Sequence, residues 1–223
     1  MIKIGAITVG QSPRTDLMPD MEKIFMDSIE VIQMGGLDGL TKEEIAEFAP
    51  QPGDNILVSR LRDGSSVTFG ESYVLPRMQN CIYELEQQGV SLILFLCTGE
   101  FPSDFQSKVP LIFPNNILTA VVPAAMPGCR LAVVVPDAGQ TEQVTRKWLR
   151  AGADSVRIFP VSPYNGLQDV LDTVKTIPAD EIDMLVMDCI GYTVEMKEKI
   201  YEIVKKPVIL PRTLVARMIN ELV

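Results

Sequence analysis

Short apolar runs alternate along the chain with stretches in which apolar residues recur every third or fourth position, the pattern of strands alternating with amphipathic helices. The opening KIGAITV predicts a strand, and Leu17, Met18, Met21, Ile24 and Phe25 share one face of a helix over 14–27. SIEVIQM predicts a second strand, after which Thr41 and Glu44 have the spacing of a capping box. In NILVSRLRDGSSVTF, Asp63-Gly64 sits between two alternating runs and predicts a hairpin. Val74, Met78, Cys81, Ile82 and Leu85 line a helix that leads into the strand SLILFL.

The rhythm then repeats. RLAVVVPD and SVRIFPVS read as strands around a helix containing Trp148, and Leu167, Val170, Leu171 and Val174 mark another helix before the strand DMLVMD. A helix over 193–205, the strand PVILP and a last helix through Leu222 complete the chain. The fold class predicted is α/β, in two pseudo-symmetric lobes, each a mainly parallel sheet flanked by helices, with a ligand site expected in a cleft between them. The lobes are expected over residues 1–100 plus 207–223 and over 101–206.

Each lobe has a cysteine at the carboxyl end of a buried strand, Cys97 in LCTGE and Cys189 in MDCIGYT. Ligands of open α/β sheets gather at that edge. Two thiols brought to one carbon could remove a proton from one face and return it to the other. Thr98 offers a hydroxyl, and the Thr98 and Gly99 N–H groups can hold a carboxylate if a turn begins there. Gly191 and Tyr192, following Cys189, are counted with the ligand-binding residues. Asp188 would raise the pKa of a neighbouring thiol, although strand alternation directs it to the opposite side from Cys189. Cys81, on the apolar stripe of its helix, reads as core, and Cys129 is left outside the site.

After the first strand, Gly10 permits a tight turn, Ser12 suits an N-cap and Pro13 the first helical position. Gln11 and Arg14 are then left for the ligand, Arg14 as a bidentate carboxylate partner. The loop lacks both G-x-G-x-x-G and G-K-[ST], so a nucleotide is not indicated. Arg60 and Arg62 read as a solvated hairpin edge, and Arg212, after the last strand, either reaches the site or caps a surface. Asp137 and Gln140 occupy the second lobe's counterpart of the first-strand loop.

Composition narrows the chemistry. The chain has 47% hydrophobic and 22% charged residues, ordinary globular usage, and a net charge of −9. With no basic cluster, nucleic acid and membrane surfaces are not expected partners; a small anionic molecule held by a local cation is. The chain has no histidine, which excludes Cys/His and Ser/His pairs, and its four cysteines lack C-x-x-C spacing. No metal and no cofactor are therefore expected. The opening strand lacks the layout of a signal peptide, so a cytoplasmic location is the default. A symmetric homodimer is one option for assembly.

Together ITVGQSPRTD, SRLRDGSSVTF, LCTGEFP and MDCIGYT resemble the AroM family over essentially the whole chain. That family looks like a branch of the aspartate/glutamate racemase superfamily, two-lobed α/β proteins with a site between the lobes. The resemblance implies Cys97 and Cys189 as acid and base, Thr98 at a substrate carboxylate, and Gln11, Ser12 and Arg14 lining the site. Amino-acid racemases of the superfamily usually carry a Thr-His pair after the second thiol. Ile190 and Gly191 stand there in this chain, so an amino-acid substrate is not implied. The reading is a cofactor-independent racemase or isomerase of a small carboxylate or related compound. The alternative is a non-catalytic binding or regulatory protein on the same fold.

Overall fold

The computed structural model describes residues 1–223 and divides into two compact units, residues 1–114 with 217–223, and residues 115–216. The first contains β1 (Ile2–Thr8), α1 (Met18–Glu22), β2 (Ile29–Gly35), α2 (Lys42–Ala46), β3 (Ile56–Arg60), β4 (Ser66–Gly70), α3 (Leu75–Gln87), β5 (Ile93–Phe95) and β6 (Leu111–Ile112). Its sheet runs β2-β1-β5-β6, parallel throughout. The antiparallel pair β3–β4 forms the expected hairpin, turning at Gly64 with φ +88°. The capping box is also present: Thr41 Oγ1 accepts from the Glu44 N–H and Glu44 Oε2 from the Thr41 N–H.

α4 (Pro114–Ala125) leads into the second unit, followed by β7 (Arg130–Val135), α5 (Thr141–Arg150), β8 (Ser155–Pro160), α6 (Leu167–Val174), β9 (Met184–Met187), α7 (Val194–Val204), β10 (Val208–Ile209) and α8 (Pro211–Leu222). The sheet runs β8-β7-β9-β10, again parallel. Both units thus have the same topology: the unit's first strand lies inside, with its second on one side and the cysteine-bearing strand on the other. The strand order reverses between β1 and β5 and between β7 and β9, and a parallel sheet opens to ligands at the carboxyl ends of such a pair.

Strand alternation sorts the core. In the second unit Ala132, Val134, Leu185 and Met187 pack with Val170, Val174, Met196 and Ile200 of α6 and α7. Leu131, Val133, Val135, Met184 and Val186 turn to Leu118, Val122, Val144 and Trp148 of α4 and α5. In the first unit Ile7, Ile93 and Phe95 meet Met78, Ile82 and Leu85 of α3 together with Leu57 and Phe69 of the hairpin.

Three features depart from the sequence reading. The helix expected over 14–27 shrinks to α1, with turns on either side of it, and the loop before it is held by long-range contacts: Ser12 donates to Asp38 and Arg14 to Gln33. Ser12 is no N-cap, and the Ser12–Pro13 bond is cis, outside any helix; the proline at the helix start is Pro19. Second, β6 and α4 were not anticipated. Third, β6 pairs with β5, and the first unit covers residues 1–114 with 217–223, where 1–100 plus 207–223 was expected. No helix is long and apolar enough to cross a membrane.

Candidate functional site

Cys97 stands just beyond β5, half-buried, its chain held to β1 by the Leu96 N–H on Ile7 O at 2.7 Å. The Gly99 N–H donates to Cys97 Sγ at 3.4 Å. Cys189, just beyond β9, is 8% exposed, and its Sγ accepts from the Gly191 N–H at 3.4 Å. The same contact, from the backbone two residues on, thus recurs in both units. An N–H directed at sulfur stabilises the thiolate over the thiol. It also takes up the Gly99 N–H that the sequence offered to a substrate carboxylate. Thr98 is buried at 6% exposure.

Glycine in both loops has a steric reason. A β-carbon on Gly191 would lie 2.6 Å from Tyr164 Oη, and one on Gly99 would lie 3.2 Å from Leu57 Cδ2. Tyr192, expected among the ligand contacts, is fully buried, and its hydroxyl donates to Val161 O at 2.6 Å. Burial first, then the neighbouring Cys189, Asp188 and Tyr164, pushes its phenol well above the ordinary range, so it stays neutral. Its observed contact is with the end of β8, where it anchors the Cys189 loop. Arg212, read from the sequence only as an uncertain cation, is 1% exposed; its Nε donates to Ile190 O and its Nη2 to Gly191 O.

Asp188 obeys the alternation. While Cys189 faces α6 and α7, Asp188 turns to α5, where Lys147 Nζ lies 2.8–2.9 Å from its carboxylate oxygens and Trp148 Nε1 donates at 2.8 Å. The pair is buried, with side-chain exposures of 4% and 0%. It ties the strand that carries Cys189 to α5.

The first-strand loop is built from paired polar groups. Arg14, 3% exposed, forms a bidentate pair with Asp16 at 2.8 Å through Nε and Nη2, while Nη1 donates to Thr8 Oγ1 and Ser59 Oγ. The arginine expected to receive a substrate carboxylate therefore already holds one from the protein. Gln11 bridges Leu40 O and the Arg62 N–H. Asp38, which the sequence reading passed over, is the hub: it accepts from the Ser12 N–H and Oγ, the Gly35 N–H and Arg62 Nη2. Arg62 is thus tied to the loop as well as exposed. Gly10 serves close approach, since a β-carbon there would lie 2.1 Å from Ser59 Oγ. Gln11, Arg14, Asp16, Arg60 and Arg62 border an open depression of about 400 Å³ in this unit.

The remaining candidates separate cleanly. Cys81 is buried, and desolvation, reinforced by Asp38 and Glu84, pushes its thiol up to about 11. Cys129 lies in the α4–α5 side of the core, its thiol also raised by burial. Asp137 caps the turn before α5 by accepting from the Gly139 N–H, and Gln140 is buried beside it.

Comparison with solved structures places this architecture. The maleate isomerase Iso of Pseudomonas putida S16 superposes with a TM-score of 0.63 at 17% identity, covering 99% of this chain and 92% of that one. The Picrophilus torridus aspartate racemase gives 0.65 at 16%, covering 99% and 94%. Allantoin racemase from Klebsiella pneumoniae gives 0.61 at 12%, covering 100% and 87%. At these identities the likeness is one of fold, that of aspartate and glutamate racemases. A search of curated proteins gave no match. The AroM protein family model matches residues 4–223, and the chain belongs to that family.

Proposed function

We propose that the chain is a cofactor-independent racemase or isomerase acting on a small carboxylate or related compound, with Cys97 and Cys189 as acid and base. The observation that carries this reading is the repetition of one thiol arrangement on two sheets of the same topology. Each sulfur follows the strand at the switch point, and each accepts an N–H from the glycine two residues on. A thiol poised between protonation states is suited to give or take a proton at an acidic carbon.

The mechanism asks one thiolate to remove the proton from a carbon next to a carboxylate or carbonyl while the other thiol delivers a proton to the opposite face. The substrate must meet both sulfurs, and donors must stabilise the enolate that forms between the two transfers. Thr98 is proposed as a carboxylate contact beside Cys97. Gln11, Ser12 and Arg14 are proposed to shape the substrate-facing loop, Arg14 through its pair with Asp16. The relatives of this fold named above act on maleate, aspartate and allantoin, which supports a small polar substrate without choosing one.

Proton NMR in D2O tests the reading on the unaltered protein with aspartate, glutamate and allantoin as probes. Entry of solvent deuterium at the acidic carbon is the expected result. Ligand-dependent protection of both thiols with no exchange in any probe would favour the binding protein instead.

A further inference from the structure

Arg212 is buried to 1% exposure, a position that costs a guanidinium several kcal/mol unless its donors are used. Two of its contacts fall on the residues just after Cys189: Nε donates to Ile190 O at 3.0 Å and Nη2 to Gly191 O at 2.8 Å. The first of these bears directly on the sulfur. Ile190 C=O and Gly191 N–H belong to one planar trans peptide, so they point in opposite directions and turn together. Holding the carbonyl on Arg212 therefore aims the N–H, which donates to Cys189 Sγ at 3.4 Å. Tyr192 closes the loop, its N–H reaching Cys189 O and its hydroxyl Val161 O.

We infer that Arg212 is a positioning residue for Cys189, acting through the Ile190–Gly191 peptide to keep a backbone donor on the sulfur. The inference rests on the proposed role of Cys189 and adds the device that sets its reactivity. Charged and titratable groups stand on several sides of the loop. Asp188 is paired with Lys147 on the other side of the sheet, Tyr192 is a buried phenol, Tyr164 stands against Gly191, and Arg212 brings the positive charge. A donor on sulfur and a fixed cation behind its peptide both favour the thiolate, the cation by polarising the peptide it holds.

The test is the pH profile of iodoacetamide alkylation at Cys189, read by peptide mass spectrometry in the unaltered protein and in Arg212→Lys and Arg212→Gln, with Cys97 as reference within each molecule. The unaltered protein supplies the reference midpoint for Cys189. Arg212→Gln should move the midpoint upward and slow alkylation at pH 7 about tenfold, the equivalent of one pKa unit, with Arg212→Lys in between and Cys97 unchanged. An unshifted midpoint in folded variants would overturn the inference. Should neither variant fold, NMR of the unaltered protein decides: the Gly191 N–H and Arg212 Nε–H resonances should both follow the Cys189 titration. An Arg212 resonance that stays still while that of Gly191 moves would overturn it. Turnover with uncoupled resonances would remove this inference alone, whereas coupled resonances without turnover would remove only the proposed activity.

Discussion

Replacing Lys147 by Met should destabilise the second unit strongly, because it leaves the Asp188 carboxylate buried without its cation. Both oxygens of Asp188 lie within 2.9 Å of Lys147 Nζ, and both side chains are nearly inaccessible to water. Removing one member of a buried pair costs about 3–5 kcal/mol, far more than a surface pair contributes. The Trp148 N–H still reaches Asp188 at 2.8 Å, so the lower end of that range, about 3 kcal/mol, is expected. For a chain of this length that is a fall in Tm of about 6–12 °C. The assay is urea unfolding followed by Trp148 fluorescence, supported by calorimetry. Lys147→Met combined with Asp188→Leu should recover only part of the loss: no charge is orphaned, but the buried Trp148 N–H loses its acceptor at a cost of about 1–3 kcal/mol. Arg146→Met, at the exposed Arg146–Glu142 pair, should stay within about 0.5 kcal/mol of the unaltered protein. A loss below about 1 kcal/mol for Lys147→Met would refute the reasoning.

Gly10→Ala should cost about 1–3 kcal/mol and loosen the hairpin, since the added methyl meets Ser59 Cβ at 2.8 Å and the Arg60 carbonyl at 3.2 Å; unchanged urea midpoints would contradict this. Iodoacetamide at pH 8 should leave Cys81 and Cys129 unmodified in the native state, as burial raises both thiols, and labelling of either as fast as Cys97 would contradict that placement. Asp183, paired with Arg130, should titrate near 2 by NMR, below its ordinary 3.8. A carboxyl lowered by folding adds stability above its unfolded pKa and loses it as pH falls through the folded one, so the advantage over Asp183→Asn should fade from about pH 4 to pH 2. No fading in that window would contradict the pairing.

Much of the fold was legible because parallel strands buried on both faces leave continuous apolar runs that few other structures produce. The hairpin at Asp63-Gly64 and the cap at Thr41 follow from local chemistry in the same way. α4 escaped because its apolar positions, Leu118 and Val122 among them, sit in a run so apolar that no clear face stands out, with Pro123 inside it. The helix over 14–27 was overestimated because an apolar face is buried whether its residues lie in a helix or in turns, and here only Met18–Glu22 are helical, the loop before them being tied to Asp38 and Gln33.

The candidate residues could be named from the sequence, but not their connections. Cys97 and Cys189 could be picked from their strand ends. The pairing of Arg14 with Asp16 could not be weighed against a ligand, although a carboxylate two residues from an arginine was a signal. Asp38 had no motif to mark it, since its role depends on β2, the hairpin and the first-strand loop meeting. Arg212 was visible only as a charge after an apolar strand, itself a hint that something polar in the core needs a donor.

The central claim is that Cys97 and Cys189 share one proton transfer, and single Cys97→Ala and Cys189→Ala variants assayed in D2O on a compound that the unaltered protein turns over test it most directly. Each substitution alone should abolish racemisation or isomerisation while leaving the urea midpoint close to that of the unaltered protein. Turnover retained by both folded variants would contradict the two-thiol account.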